Sequence, residues 1–158
     1  MSGKKTGIES LIVWQASVEL AVKVCQEILN LLPSKEKYAL TTQLRRSVQR
    51  IPTNIAEGYG RYYYQNNVIF CYIARGSLEE TDNHLILACK LGYFSEDVLQ
   101  SYMQLTNELR RMLNGYIAFL KRSKRGENEP GAELQEDPKI DNINDHILHP
   151  LDPTLPGP

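Results

Sequence analysis

The chain has 158 residues, of which 42% are apolar, and its formal net charge is -1; this size fits one domain, or a smaller domain followed by a tail. Its three cysteines lie far apart without CxxC spacing, which argues against a disulfide framework and against a zinc site. Because no run of 18 apolar residues occurs, and the N-terminal lysines precede no signal-peptide core, we expect a cytoplasmic protein without a membrane span.

Charge is distributed unevenly along the chain. Residues 1–125 carry 17 Lys and Arg against 11 Asp and Glu, whereas residues 126–158 carry 1 against 8, together with six of the eight prolines. We therefore predict a flexible N-terminus at 1–8, a folded body at 9–123 and an extended or disordered tail at 124–158. A basic body suits a polyanionic partner, although an ordinary solvated surface also accounts for a charge balance of this size.

The first predicted helix runs from Glu9 or Ser10 to Leu32, and Pro33 ends it. Its apolar residues alternate three and four positions apart, a period of 3.5 that is typical of helices wound against one another. Ser34 is placed to cap the helix that follows. The predicted seam consists of Leu11, Trp14, Val18, Ala21, Cys25, Ile28 and Leu32.

The second predicted helix contains the most distinctive stretch of the chain, QLRRSVQRIPTNIAEGYGR at residues 43–61. Pro52 removes a backbone donor from the helix interior, so we expect a kink or a restart at this point. Thr53 and Asn54 are expected to bond the backbone groups that the proline frees. The apolar face of the helix comprises Leu40, Leu44, Val48, Ile51 and Ile55.

Glycines are predicted to mark two helix ends. Gly58 and Gly60 should end the second helix, because glycine tolerates the left-handed conformation that helix ends often use. The third helix should begin with Asn66 or Asn67 as its cap and end at Gly92.

Two further helices complete the predicted body. In the third, Gly76 and Ser77 put small surfaces at mid-helix, where a neighbouring helix can approach closely. The fourth is expected to open at Ser95 and to run to about Ser123. Predicted core residues are Ile69, Ile73, Leu78, Leu85, Ala88 and Leu91 in the third helix, and Val98, Tyr102, Leu105, Leu109, Met112, Tyr116 and Leu120 in the fourth.

Four such helices with short connections predict an all-α fold: an antiparallel up-down-up-down four-helix bundle with a flexible, acidic, Pro-rich C-terminal tail. No strand-like alternation competes with this interpretation. Within the tail, a short apolar run from Ile140 to Leu148 is a candidate for docking on a partner or on the bundle.

Residues 43–61, with IARGSLEE at 73–80 and KLGY at 90–93, resemble the four-helix bundle family encoded in intervening sequences of bacterial large-subunit ribosomal RNA genes. That family is similar in fold to the accessory variability proteins of diversity-generating retroelements. The resemblance implies a homopentamer with a basic surface. In the retroelement branch it further implies binding of nucleic acid, RNA or RNA–DNA hybrid, and partnership with a reverse transcriptase. The alternative is a structural or protein-interaction module with no nucleic-acid role.

Seven basic residues are candidates for phosphate contacts, each of which adds a salt-dependent increment of affinity. Those of the fourth helix are favoured because the symmetry of a ring multiplies a modest patch, although a helix dipole also attracts cations to a C-terminus. The candidates are Arg46, Arg50, Arg61, Arg110, Arg111, Lys121 and Arg122.

The alternative role for the arginines of the second helix is pairing with acids across the second and third helices. Arg45, Asn54, Glu57 and Glu80 are predicted to form such a structural polar network. No nucleophile or histidine lies near Asn54 and Glu57 in sequence, so these two do not indicate catalysis. We expect a protein that is not an enzyme and that has no cofactor and no metal. The acids considered as partners are Glu57, Glu79, Glu80 and Asp82.

Tyrosines surround Arg61, at positions 59 and 62–64. Such a group resembles a stacking platform for unpaired bases, and it is equally typical of packing and subunit-interface residues. His84 is predicted to be a hydrogen-bonded core or interface residue.

Overall fold

The computed structural model describes residues 6–61, 63–124 and 127, and these contain helices and no β-strand. A 3-10 turn at Gly7–Ser10 precedes α1, which spans Ile12–Lys23 and is prolonged by a π-helical turn at Val24–Ile28 and a 3-10 turn at Leu29–Leu31. A further 3-10 turn, Ser34–Glu36, precedes α2. The remaining helices are α2 (Leu40–Tyr59), α3 (Tyr64–Lys90) and α4 (Glu96–Ser123).

The four helices pack as neighbours around one core. Helix α2 lies against α1 and α3, and α4 closes the circle by packing on α3 and α1. Thr81 of α3 donates a hydrogen bond to Ser47 of α2, whereas Asn67, earlier in α3, lies against Gly58, later in α2. From the first contact to the second, the residue number rises in α2 and falls in α3, so these two helices run in opposite directions. The complete up-down-up-down order stays a prediction.

The predicted apolar face of α2 is confirmed, since all five of its residues are buried. In α1 and α4 the predicted seam is confirmed in part, because Ala21, Ile28, Leu32, Tyr102, Leu109 and Leu120 are buried. At other positions a neighbouring residue is buried instead, so that in α1 Trp14 and Val18 are only half-buried while Val13 and Ser17 are buried. Both sets of positions are mostly apolar in sequence, and packing against the neighbouring helices selects between them. The seam of α4 consists of Leu99, Tyr102, Thr106, Leu109, Leu113, Ile117 and Leu120.

Helix α3 has the core that was predicted least well. Leu78, Leu85 and Ala88 are buried, but Ile69 and Ile73 are 38% and 42% exposed. Small and polar residues fill the interior instead, because α3 approaches its neighbours closely. These are Asn67, Cys71, Ala74, Ser77, Thr81 and Asp82.

Helix ends agree with the predictions at the junction between α3 and α4. The backbone of Gly92 is left-handed, with φ of 79°, and Ser95 caps α4 by accepting a hydrogen bond from the backbone N–H of Val98. The predicted cap at Ser34 is wrong, because its side chain makes no cap bond and α2 begins only at Leu40. Helix α3 starts at Tyr64 and has no cap at Asn66.

The end of α2 also differs from the prediction. The helix continues through Gly58 to Tyr59, and Gly60 is right-handed with φ of -72°. Gly58 serves packing, because a Cβ there would lie 2.8 Å from Oδ1 of Asn67. The predicted close approach at Gly76 is wrong, since a Cβ at that position would meet nothing within 4 Å in the described part of the chain.

Pro52 does not make α2 restart, and the helix is continuous through it. The fully buried side chains of Ile51 and Ile55 hold the backbone on both sides of the proline. Thr53 and Asn54 bond the carbonyl oxygens of Gln49 and Arg50, one helical turn before each. Because Pro52 has no N–H, the carbonyl of Val48, four residues earlier, lacks its usual donor. Thr53 and Asn54 do not bond that carbonyl.

Most of the predicted tail lies outside the described residues, as do residues 1–5 of the predicted flexible N-terminus. The predicted apolar docking run of the tail lies there too. None of the helices described here combines the length and apolar character that crossing a lipid bilayer requires.

Candidate nucleic-acid interface

The exposed side of α2 presents three arginines within six residues. Arg45, Arg46 and Arg50 are all exposed, and Gln49 lies exposed between them. We call these four residues the α2 arginine surface. No Asp or Glu occurs from residue 37 to residue 56, so the helix contributes no acid that would neutralise this surface. The arrangement concentrates donor groups and positive charge, which is what a chain of phosphates attracts.

The acids considered as partners for these arginines are engaged elsewhere. Glu57 pairs with Arg61 at 2.9 Å, and Oε1 of Glu80 lies 3.5 Å from the imidazole of His84. Glu79 and Asp82 both bond Arg110. Within the described residues, no carboxylate lies at ion-pair distance from the three arginines of the α2 arginine surface.

Arg110 is the centre of an ion-pair cluster that joins α4 to α3. Its Nε donates to Glu79 at 2.7 Å, and its Nη2 bonds Asp82 as well as Glu79. Burial raises the pKa of Asp82, against the hydrogen bonds from Thr106 and Arg110 that lower it. Burial tends to lower the pKa of Arg110, but the hydrogen bonds and charges of Glu79 and Asp82 raise it overall. Two carboxylates thus neutralise this guanidinium, which is held between helices and is a poor candidate for phosphate contact.

The other predicted phosphate contacts are spread over the molecule. Arg111 and Arg122 are exposed on α4. The ammonium group of Lys121 lies over the ring of Tyr72, 5.5 Å from its centre. Arg61 is paired with Glu57, and its guanidinium also lies 4.9 Å from the centre of the Phe70 ring. The structure therefore brings together Arg46 and Arg50, and it keeps Arg61 engaged with its own neighbours.

The four residues of the predicted polar network do not come together. Arg45 is exposed, Asn54 bonds a carbonyl of its own helix, Glu57 pairs with Arg61, and Glu80 lies beside His84. Consecutive arginines differ by about 100° around a helix, yet Arg45 and Arg46 both reach solvent because the buried face of α2 is narrow.

Several polar residues beside the basic ones on α4 were missed by the sequence analysis. A shallow groove of about 500 Å³ is lined by amides and guanidinium groups and by no carboxylate. Asn and Gln at three- and four-residue steps around Arg111 were the signal that could have revealed it. The lining residues are Gln104, Asn107, Arg110, Arg111 and Asn114.

Two pairs of large apolar side chains lie on the outward side of α3 and at its end, Ile69 with Ile73 and Leu87 with Leu91, and each is between 38% and 51% exposed. At about 100° per residue the four share one stripe, in which Glu80 and Asn83 separate the two pairs. Gly76 lies in the same stripe, where it leaves the backbone uncovered. We call this stripe the α3 outer face; its residues are Ile69, Ile73, Gly76, Leu87 and Leu91.

The remaining candidate residues offer less to a nucleic-acid interface. Tyr64 packs partly against the core and Tyr59 is 38% exposed, whereas Tyr62 lies outside the described residues. The imidazole nitrogens of His84 are buried without a hydrogen bond to the described residues, so the predicted bond is not formed there. Burial raises the pKa of the Cys71 thiol to about 12, which makes it unreactive. Among the residues that the structure describes, no three His, Cys, Asp or Glu side chains are placed to hold a metal ion.

Comparison with known proteins decides the family. The sequence model of the 23S rRNA-intervening sequence protein family matches residues 9–115, which is most of the helical body. The chain belongs to this family. The predicted resemblance to proteins encoded in ribosomal RNA intervening sequences is thereby confirmed.

One solved structure has a fold similar to that of this chain. It is a protein of unknown function from the S23 ribosomal protein family of Bacteroides thetaiotaomicron VPI-5482. The TM-score is 0.61 at 23% identity, over 67% of this chain and 98% of the other. At this identity the likeness concerns the fold alone. A search of curated proteins gave no match.

Proposed function

We propose that this chain is a non-enzymatic, self-associating protein that binds nucleic acid through the α2 arginine surface. The observation that carries the proposal is the exposure of Arg45, Arg46 and Arg50 on a helix face without acids, while the nearby acids bond other residues. The proposal moves the principal contact from Arg110 to α2, because two carboxylates already neutralise Arg110.

The chemistry of the surface favours a phosphate backbone. An arginine guanidinium presents several N–H donors in a planar fork that matches a phosphate group, and it remains charged at any physiological pH. Gln49 adds a neutral donor between the charged ones. Each phosphate that an arginine neutralises releases counterions, so affinity must fall as salt is added.

The proposal predicts salt-dependent binding of structured RNA and of RNA–DNA hybrid in a filter-binding assay. Three phosphate contacts per chain should lower the affinity by about 20- to 40-fold between ~50 mM and ~200 mM salt. Absence of binding at the lower salt concentration, or an affinity that does not change with salt, would reject the proposal.

Self-association is proposed to use the α3 outer face. Four half-exposed aliphatic side chains in one stripe are costly to leave in water, and a second copy of the chain would cover them. The pentameric number comes from the family resemblance of residues 43–61, 73–80 and 90–93.

Sedimentation should give an oligomer for the intact chain and a smaller species for Ile73→Glu. Ile12→Glu, which changes an exposed isoleucine of α1, should leave the oligomer intact; equal effects of both would exclude the α3 outer face.

The resemblance to accessory variability proteins extends the proposal to a partner. The oligomer is proposed to assist a reverse transcriptase in handling template RNA and cDNA, and co-expression followed by co-purification tests this. A structural or protein-interaction module is the second candidate, and exposed apolar side chains outside the α3 outer face, those of Val22, Ile86 and Phe119, favour it. Oligomers that bind a protein but no RNA would support the second candidate.

A further inference from the structure

Two asparagines on α4 are each held by an arginine in a defined orientation. Nη1 of Arg110 donates to Oδ1 of Asn107, and Nη1 of Arg75, on α3, donates to Oδ1 of Asn114 at 3.2 Å. Arginine has donors and no acceptor, so only the carbonyl oxygen of an asparagine amide can face it. The NH2 group of each amide must therefore point away from its arginine.

The arginines that hold these amides are themselves fixed. Arg110 is bound by Glu79 and Asp82, and the guanidinium of Arg75 lies 5.0 Å from the centre of the Tyr72 ring. Both asparagines are exposed, and within the described residues neither NH2 group donates to another protein group. The two amides are thus preorganised donors that face solvent.

Arg111 lies between the two asparagines along the helix. It follows Asn107 by four residues and precedes Asn114 by three, which are steps of about 6 Å and about 4.5 Å along the axis. All three line the groove on α4, and its lining contains no carboxylate. Donors therefore follow one another along the groove, and Glu108, which lies between Asn107 and Arg111 in sequence, lines a different pocket, on the side of α1.

We infer that Asn107, Arg111 and Asn114 form a second phosphate-binding site, which holds consecutive phosphates of a single nucleic-acid strand. A row of outward donors suits a ligand that offers acceptors at regular intervals, and the phosphate groups along a nucleic-acid strand are such acceptors. The inference rests on the proposed function, because it assigns a further contact for the same nucleic acid. It differs from the α2 arginine surface in using two neutral donors around one charge.

Neutral and charged donors leave different signatures in the salt dependence. Removing a phosphate contact of Arg111 lowers the slope of log affinity against log salt by about 0.7 to 0.9, because counterions are no longer released there. An asparagine carries no charge and releases no counterions. Loss of its hydrogen bond should therefore weaken binding at every salt concentration and leave the slope unchanged.

The test measures the affinity of the full chain for a fluorescently labelled single-stranded RNA by anisotropy over a range of salt. The double variant Asn107→Ala/Asn114→Ala should bind roughly 5- to 30-fold more weakly with the wild-type slope. Arg111→Gln should bind more weakly with a lower slope. The control is Asn30→Ala/Asn66→Ala, which removes two exposed asparagines outside α4 and should bind as the wild type does.

A second variant guards against a loss of folding. Asn107→Asp/Asn114→Asp keeps an oxygen facing each arginine and turns each outward donor into an acceptor, so binding should fall further than in the alanine variant while the thermal midpoint is kept. Wild-type affinity in both double variants would overturn the inference and leave the α2 arginine surface standing. Equal competition by polyglutamate and by RNA would also overturn it, because the site would then select carboxylates. Failure of the wild type to bind RNA at low salt would overturn both proposals.

Discussion

Replacing Gly58 by alanine is expected to destabilise the fold by about 1–3 kcal/mol, although alanine is the better helix former. The added Cβ would lie 2.8 Å from Oδ1 of Asn67, 2.9 Å from Cβ of Phe70 and 3.1 Å from the backbone oxygen of Asn67. Asn67 cannot move aside, because its amide nitrogen donates to the hydroxyl of Tyr116 at 3.2 Å. Helices α2 and α3 would have to separate.

Urea unfolding measures this effect, and Gly115→Ala is the matched control. A Cβ at Gly115, within α4, meets nothing within 4 Å in the described part of the chain. Only the helix propensity changes there, so this variant should be more stable than the wild type by up to about 1 kcal/mol. Equal free energies of unfolding for the two variants would contradict the close contact between α2 and α3.

Arg110 and Arg111 are adjacent, but only Arg110 is expected to contribute strongly to the stability of the fold. Arg110→Ala should lower the free energy of unfolding by about 2–4 kcal/mol, because it leaves the carboxylate of Asp82 buried without its charged partner. The side chains of Asp82 and Arg110 are only 12% and 24% exposed. Arg111 is exposed and has no ion-pair partner among the described residues, so Arg111→Ala should change stability by less than about 0.5 kcal/mol.

A double variant separates a lost ion pair from a lost side chain. Asp82→Leu/Arg110→Leu removes both charges together, and its stability should recover most of the loss seen in Arg110→Ala. Chemical denaturation of the four proteins provides the comparison. An Arg110→Ala variant as stable as Arg111→Ala would show that the cluster contributes nothing to the packing of α3 on α4.

The sequence predicted the number of helices and most of their limits, because periodicity and caps such as Ser95 act locally. It was least reliable for the rotation of each helix about its axis. In α3 the large residues Ile69 and Ile73 suggested a core, yet small residues are buried and these two are exposed. A sequence alone shows the periodicity of a helix clearly. Where a helix has two apolar stripes, however, the stripe that is buried depends on the helices that pack against it.

The site was predicted in part for a similar reason. The sequence identified the arginines of α2 and α4, but it could not show which of them have acidic partners. Arg110 meets Glu79 and Asp82, which lie about thirty residues earlier in the chain, only when α3 and α4 pack together. The orientation of Asn114 depends in the same way on Arg75 of another helix.

The most direct measurement of the central claim compares the salt dependence of RNA affinity between the wild type and Arg45→Gln/Arg46→Gln/Arg50→Gln. Glutamine has a helix propensity close to that of arginine and keeps a polar side chain, but it removes the charge. If the α2 arginine surface binds phosphates, the slope of log affinity against log salt should fall by about 2 to 3 units. A triple variant that binds RNA with the wild-type affinity and slope would contradict the claim.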